Sequence, residues 1–156
     1  MVKFDWETVY RSSMYAFRRA SGKWFRFTLN GVVGPLPSDV ASPIQDHGSL
    51  LIMTAWNPMS KERPLSVNED ANAELRNRLE ASGFSFDESY GCSLPGVTPG
   101  WREDGFVIYG MSLEEAVEWG HSVDQRSIVF AEAESIGLLF CTDGRFVPCG
   151  VEQPDS

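Results

Sequence analysis

The chain has 156 residues, of which 42% are hydrophobic and 22% are charged, and its net charge at pH 7 is −9. These values are typical of one globular domain and exclude a disordered or fibrous chain. The sequence contains no apolar run near the ~18 residues that a membrane span needs, and its first residues do not resemble a secretory signal peptide.

The first 48 residues predict a helix, a strand and a loop. Residues 5–19 fit a short amphipathic helix. Residues 23–29 alternate between polar and apolar side chains, which indicates a strand with one buried face. Residues 30–48 contain three prolines and several glycines, so we predict a loop there.

The next segment predicts a buried strand followed by a helix. Residues 49–55 form a continuous apolar run, which is typical of a strand covered on both faces. Ser66 and Glu69 have the spacing of a capping box and predict a helix start. Gly83 predicts the end of this helix.

The remaining elements repeat the same pattern. A second capping box, Ser112 with Glu115, predicts the start of another helix. The Asp143-Gly144 pair predicts a two-residue turn in a terminal hairpin over 136–149. The other predicted strands are 84–87, 105–109 and 127–131.

Together these elements predict a fold class. Between residues 49 and 132 their order is β-α-β-β-α-β, the ferredoxin-like arrangement, in which two helices cover one face of a four-stranded antiparallel sheet. The N-terminal helix and strand and the C-terminal hairpin would be additions to that core. We therefore predict a single α+β domain over residues 1–150 and a flexible tail over 151–156.

Several short motifs carry a resemblance. Residues 52–58 read Ile-Met-Thr-Ala-Trp-Asn-Pro, Ser66 and Glu69 are followed by Asn72, and Trp101-x-Glu103 leads into Phe106-Val-x-x-Gly110. The spacing between Tyr10 and Tyr15, near the start of the chain, fits the same family pattern. Over residues 10–132 the chain resembles the bacterial domain-of-unknown-function 3293 family. This resemblance implies a bacterial cytosolic protein, and it implies no activity, catalytic residue or ligand.

The loop after the buried strand is the first candidate site. The helix that starts near Ser66 exposes backbone N–H groups, which can hold an anion. Asn-Pro also commonly just sets a turn, so a structural role for this loop stays open. The candidate ligand-binding residues are Asn57, Ser60, Arg63, Ser66 and Trp101.

The second candidate is an acidic group beside an indole. Glu103 follows Trp101, and a carboxylate in such surroundings can have a raised pKa and act as an acid or base. Glu103 is therefore the candidate catalytic residue, although a solvated acidic cluster explains the same residues. His47 and His121 lie in no recognisable nucleophile or metal motif, so we predict no metal and no cofactor.

The cysteines indicate a compartment. Cys92, Cys141 and Cys149 are an odd number, so they do not all pair within the chain. Cys141 and Cys149 flank the predicted hairpin turn and could form a cross-strand bridge. Free thiols in a reducing cytosol are the favoured interpretation, so we predict a cytoplasmic protein.

Positive charge is concentrated at the start of the chain. Residues 1–30 carry six basic and two acidic side chains, whereas residues 31–156 carry seven and twenty. Basic residues interleaved with aromatic ones can bind phosphates and stack bases. A helix and an amphipathic strand explain the same pattern, and the acidic remainder repels a polyanion.

These observations leave three functions open. The leading hypothesis is a non-catalytic module that binds a protein partner or a small anionic metabolite. The alternative is a small enzyme that acts on a phosphorylated or anionic metabolite at the 56–69 loop, with Glu103 as its acid or base. Nucleic-acid binding through the basic N-terminal segment is the second alternative.

Overall fold

The computed structural model describes residues 5–154 and contains eight strands and four α-helices in that range. The strands are β1 (Met14–Arg18), β2 (Trp24–Gly31), β3 (Ser49–Met53), β4 (Ser85–Cys92), β5 (Arg102–Tyr109), β6 (Ser127–Glu132), β7 (Ser135–Phe140) and β8 (Phe146–Glu152). The helices are α1 (Trp6–Arg11), α2 (Ser38–His47), α3 (Leu65–Ser82) and α4 (Leu113–Ser122), and a 3₁₀ turn spans Pro58–Ser60.

The strands form a closed antiparallel barrel in the order β1-β2-β8-β7-β6-β3-β5-β4. The predicted ferredoxin-like fold is therefore wrong. The elements from residue 49 to 132 do occur in the predicted β-α-β-β-α-β order, but their strands are only half of the sheet. β1 pairs with β4, β2 with β8, and β7 with β6, so every strand has two neighbours. Closure satisfies backbone groups that an open sheet would leave at its edges.

Alternation along the strands separates two hydrophobic clusters. In β3, Leu50 and Ile52 belong to one cluster and Leu51 and Met53 to the other. The first cluster fills the barrel, and the second lies outside it under α3 and α4. β3 is thus buried on both faces, as its continuous apolar run predicts.

Two predictions in the first 48 residues are wrong. The helix predicted over 5–19 ends at Arg11, and residues 14–18 form β1. The predicted loop over 30–48 contains α2, which tolerates Pro43 in its interior and buries Val40 and Ile44 against the barrel cluster. In both cases packing against the barrel overrides a local signal, which is the helical spacing of apolar residues in the first segment and the prolines in the second.

The two predicted capping boxes differ in the structure. Ser112 and Glu115 form the reciprocal pair, with Glu115 N to Ser112 Oγ at 3.1 Å and Ser112 N to Glu115 Oε1 at 3.0 Å. The box predicted at Ser66 is wrong, because α3 begins at Leu65 with Pro64 as its N-cap, two residues before the cap position predicted for Ser66. No side chain caps this end of α3 by a hydrogen bond, because Pro64 has no side-chain acceptor.

This difference predicts unequal effects of two serine substitutions. Ser112→Ala removes the acceptor that caps α4 and should cost about 1 kcal/mol of unfolding free energy. Ser66→Ala lies in the exposed first turn of α3 and should change that free energy by less than about 0.5 kcal/mol. Urea unfolding of both variants measures the difference. Equal losses would show that α3 does use a serine cap.

The C-terminal hairpin is confirmed, but its turn is longer than predicted. β7 ends at Phe140 and β8 begins at Phe146, so five residues connect the strands rather than Asp143-Gly144 alone. β8 continues to Glu152, two residues into the segment predicted as a tail. Residues 155–156 of that segment, like residues 1–4, lie outside the described residues.

The two short helices mark opposite ends of the barrel. α2 lies near the end of β1 and the start of β4, where His47 stacks on Tyr109. α1 lies near the start of β1 and the end of β4. Within residues 5–154, no helix has both the length and the apolar character that crossing a membrane requires.

Candidate functional site

A cavity of about 80 Å³ lies at the α1 end of the barrel. An engineered cavity of roughly 150 Å³ binds benzene, so this one is large enough for the head group of a small ligand. Its walls are formed by α1 and the ends of five strands, together with the segment before β6. The polar residues that line it are Tyr10, Ser13, Tyr15, Thr54, Ser89, Glu103, Gln125 and Ser127.

A glycine in the barrel wall makes the space. Tyr15 of β1 lies opposite Gly91 of β4, and Gly91 lies opposite Glu103 of β5. Residues directly opposite each other on neighbouring strands share one face of a sheet, so all three face the cavity. A Cβ atom on Gly91 would lie 3.9 Å from both the Trp101 and the Tyr15 rings. The absent side chain therefore leaves room between the phenol and the carboxyl group.

Glu103 is the charged group of this cavity. Burial raises the pKa of its carboxyl to about 7, and a hydrogen bond from the Asn57 side chain opposes that rise. Among the ion pairs within residues 5–154, none involves Glu103. Near neutral pH this carboxyl group therefore exchanges a proton readily and has no cation beside it.

Asn57 positions the carboxyl group from the loop after β3. Its backbone N–H donates to Asn68 Oδ1 at 2.9 Å, and its own Oδ1 accepts from Arg63 N and Asn68 Nδ2, both at 2.9 Å. Asn57 also adopts a left-handed backbone conformation, with φ of 47°, which asparagine tolerates well. Because its oxygen is fully used, its amide NH₂ group is what remains to donate to Glu103.

Two phenols close the cavity on the α1 side. Tyr10 Oη and Ser60 Oγ are 2.7 Å apart, and Tyr15 Oη donates to the Tyr10 carbonyl oxygen at 2.7 Å. Burial raises the pKa of both phenols above the ordinary value, so both stay protonated at neutral pH. These bonds tie α1 and the 3₁₀ turn together over the cavity.

Ser89 contributes a hydroxyl group that lacks a partner. Its side chain is 3% exposed, and no protein atom within residues 5–154 hydrogen-bonds to its Oγ. A buried polar atom without a partner costs roughly 1–3 kcal/mol, so such atoms commonly meet a ligand or an ordered water. Ser89 thus points to an occupant of the cavity independently of Glu103.

The structure brings together four of the six residues that sequence reasoning selected. Glu103 and Trp101 line the cavity, Asn57 contacts the Glu103 carboxyl group, and Ser60 contacts Tyr10. Trp101 is 41% exposed at the rim.

The other two predicted residues do not reach the cavity. Arg63 enters the network only through its backbone N–H and carbonyl groups, and its side chain is exposed. Ser66 is exposed in the first turn of α3. The predicted ligand loop is therefore split, with its first part against the barrel and its second part in solvent.

Sequence reasoning did not select Tyr10, Tyr15, Ser89 and Gly91. In the sequence, Tyr10 and Tyr15 belong to the basic, aromatic first segment and to the family resemblance, and neither pattern indicates a cavity. Ser89 and Gly91 show their role only through the register of β4 against β1 and β5. No local motif carries that information.

The remaining predicted features lie elsewhere. His121 is exposed on α4. Cys141 belongs to the outer cluster and Cys149 to the barrel cluster, so their side chains lie on opposite faces of the sheet and a bridge between them does not fit. In the described part of the chain, no three histidine, cysteine or acidic side chains are grouped as metal ligands.

Residues 53–128 match the family described as "Protein of unknown function (DUF3293)". This match confirms the resemblance over the matched segment. The matched segment includes Asn57, Ser89, Trp101 and Glu103, and it lies after α1 and β1. No curated protein and no solved structure matches the chain.

Proposed function

We propose that this protein binds a small molecule whose head group enters the cavity at the α1 end of the barrel. The observation that carries the proposal is Glu103, a largely buried carboxyl group that faces the cavity without a cationic partner. Groups with strongly perturbed pKa values in a concave site are typical of binding and catalytic centres.

The cavity is a better ligand site than the start of α3, where the sequence predicts an anion. The Asn57 side chain is occupied by Arg63, Asn68 and Glu103. The charge that faces the cavity is that of a carboxyl group, which repels an anion once it is ionised. The proposed ligand therefore lies inside the barrel end and is not the anionic metabolite that the loop composition predicts.

A thermal-shift screen of small metabolites tests this proposal. A ligand at about one hundred times its Kd stabilises the folded state by about 2.7 kcal/mol, which raises the Tm of a chain this size by several degrees. We expect the shift to be lost in Gly91→Leu, which fills the space between Tyr15 and Trp101. The matched control is Ser66→Ala, which changes the loop site and should keep the shift.

Two outcomes would contradict the proposal. One is a screen in which no compound raises the Tm of the native protein. The other is a ligand whose shift survives in Gly91→Leu and disappears in Ser66→Ala, because that result would place the site at the start of α3.

Proton transfer to or from the ligand is a second candidate function. It is favoured by the pKa of Glu103, about 7, which suits a general acid or base at neutral pH. A ligand found in the screen can be incubated with the protein in D₂O and analysed by mass spectrometry. Deuterium incorporation or conversion that disappears in Glu103→Gln would support catalysis.

The basic N-terminal segment supports nucleic-acid binding less well. Arg18 pairs with Asp87 at 2.9 Å and Arg19 with Asp39 at 2.6 Å, so carboxylates already neutralise these two guanidinium groups. Salt-dependent retention on heparin, lost in Arg18→Ala with Arg19→Ala, would favour that function.

A protein partner and a cytoplasmic location also stay proposals. The location is supported by three cysteines that are free thiols.

A further inference from the structure

We infer that the head group recognised in this cavity is a primary alkylammonium group, with Glu103 as its counter-ion and Ser89 as a second hydrogen-bond partner. This inference rests on the proposed function and names the ligand class of the same site. It follows from the hydrogen-bonding capacity, the charge and the aromatic lining of the cavity.

The first argument is that the ionised Glu103 carboxyl group accepts only from hydrogen-bond donors and that the Ser89 hydroxyl group lacks a partner. Tyr15 Oη already donates to the Tyr10 carbonyl, and Gln125 Nε2 already donates to Trp56 O at 3.0 Å. The Glu103 carboxyl accepts one bond from Asn57, and ionised carboxylates have room for several more. Ser89 Oγ has no protein partner within residues 5–154. A ligand that brings several N–H donors can donate to both the Glu103 carboxylate and the Ser89 hydroxyl group, whereas a fully ionised carboxylate or phosphate offers no donor to Glu103.

The second argument is electrostatic. The other titratable groups that face Glu103 are the Tyr10 phenol from α1 and the Tyr15 phenol from β1, both neutral at pH 7. β4 presents Ser89 and Gly91 at this point, which carry no charge. Glu103 is therefore the ionisable group whose charge a ligand in this cavity would balance.

The nearest charged neighbours are directed elsewhere. Arg126, from the segment before β6, lies over the Trp6 ring at 4.3 Å and donates to the Met59 carbonyl at 3.4 Å. Asp104 pairs with Arg102 at 2.9 Å on the outer face of β5. These pairings leave the cation position beside Glu103 to a ligand.

The third argument is the aromatic lining. Tyr10, Tyr15 and Trp101 all contribute to the wall around the carboxyl group. Aromatic faces attract ammonium groups, and such surroundings are used to recognise organic cations. The volume of about 80 Å³ suits an ammonium group with a short alkyl stem, and the exposed Trp101 side chain can cover the rest of the molecule.

Three probes of equal length separate charge from shape: n-butylammonium, n-butanol and butyrate. Their binding to the full chain is followed by NMR titration, including the Trp101 indole N–H signal. We expect n-butylammonium to bind most tightly and to bind roughly thirtyfold more tightly at pH 8.5 than at pH 5.5. This pH dependence follows because Glu103 ionises between these values while the amine stays protonated.

Matched variants identify the groups involved. Glu103→Gln should remove the pH dependence and weaken n-butylammonium binding at pH 8.5 at least tenfold. Ser89→Ala should weaken binding about fivefold and keep the pH dependence. The control is Glu134→Gln, which makes the same charge change on an exposed side chain and should leave binding unchanged.

The outcomes also separate this inference from the proposed function. If n-butanol or butyrate binds as tightly as n-butylammonium and Gly91→Leu abolishes that binding, the cavity binds ligands but the ammonium inference is wrong. If none of the probes binds and the metabolite screen yields no ligand, both are wrong. Binding of the amine without pH dependence would exclude Glu103 as the counter-ion.

Discussion

Glu103→Gln will stabilise the protein at pH 8 and will leave its stability near pH 4.5 almost unchanged. Burial raises the pKa of this carboxyl from 4.5 in the unfolded chain to about 7 in the folded protein. The folded state therefore binds the proton more tightly than the unfolded state does. The stability that this proton contributes is fully present below pH 4.5 and is lost as the pH rises through 7. Glutamine keeps the neutral form at every pH.

The size of this effect follows from the shift. One pKa unit corresponds to about 1.4 kcal/mol, so the upper limit at pH 8 is about 3 kcal/mol of unfolding free energy. For a chain of this length, that gain should raise the Tm by several degrees. The measurement is the difference in Tm between native protein and variant at intervals from pH 4.5 to 8.5. Taking this difference cancels the other titrating groups, which both proteins share.

Glu134→Gln supplies the control, because its side chain is exposed in the β6–β7 turn. Its Tm should follow that of the native protein at each pH. A Glu103→Gln variant that loses stability at pH 8 would show that the ionised carboxyl has a stabilising partner. That result would remove the basis for placing a cationic ligand there.

A stabilising substitution at this position also bears on function. Proteins keep groups that reduce stability mainly where binding or catalysis needs them. The buried carboxyl group of Glu103 and the unpartnered hydroxyl group of Ser89 both reduce stability, and they line the same cavity. Packing alone does not explain why two groups that lower the free energy of unfolding line the same cavity.

The sequence predicts the elements whose signals are local. The apolar run of β3, the Ser112 cap of α4 and the strand composition of the terminal hairpin all lead to the correct element. These signals depend on neighbours within a few residues, so they do not depend on how distant segments of the chain pair.

The sequence does not predict features that depend on distant pairing. The apolar residues of segment 5–19 have a spacing that fits a helix, and only the pairing of residues 14–18 with both β2 and β4 makes them a strand. The same limit applies to the site. Trp101 and Glu103 stand out as a local motif, whereas Tyr15 joins them only because Gly91 lies between Tyr15 and Glu103 in the closed barrel. A full prediction of the site would have required knowing that the sheet closes by pairing β1 with β4.

Gly105→Ala will destabilise the protein severely, whereas Gly91→Ala will be tolerated. Both glycines lie in the cavity wall, on the neighbouring strands β5 and β4. A Cβ atom at Gly105 would overlap the Met53 carbonyl oxygen of β3, and backbone does not move aside as a flexible side chain does. At Gly91 the nearest atom to a new Cβ is the Met14 carbonyl oxygen at 3.8 Å, an ordinary contact.

The two alanine variants therefore form a matched pair in which the same methyl group is added. Gly105→Ala has to separate β3 from β5 and should cost roughly 3–5 kcal/mol, at the upper end for a single substitution. Gly91→Ala should change stability by less than about 1 kcal/mol, and it can be favourable because alanine restricts the unfolded chain. Urea unfolding followed by circular dichroism measures both. Similar small losses in the two variants would mean that β3 does not approach β5 closely at Gly105. The pairing of β3 with β5 would then not form this part of the cavity wall.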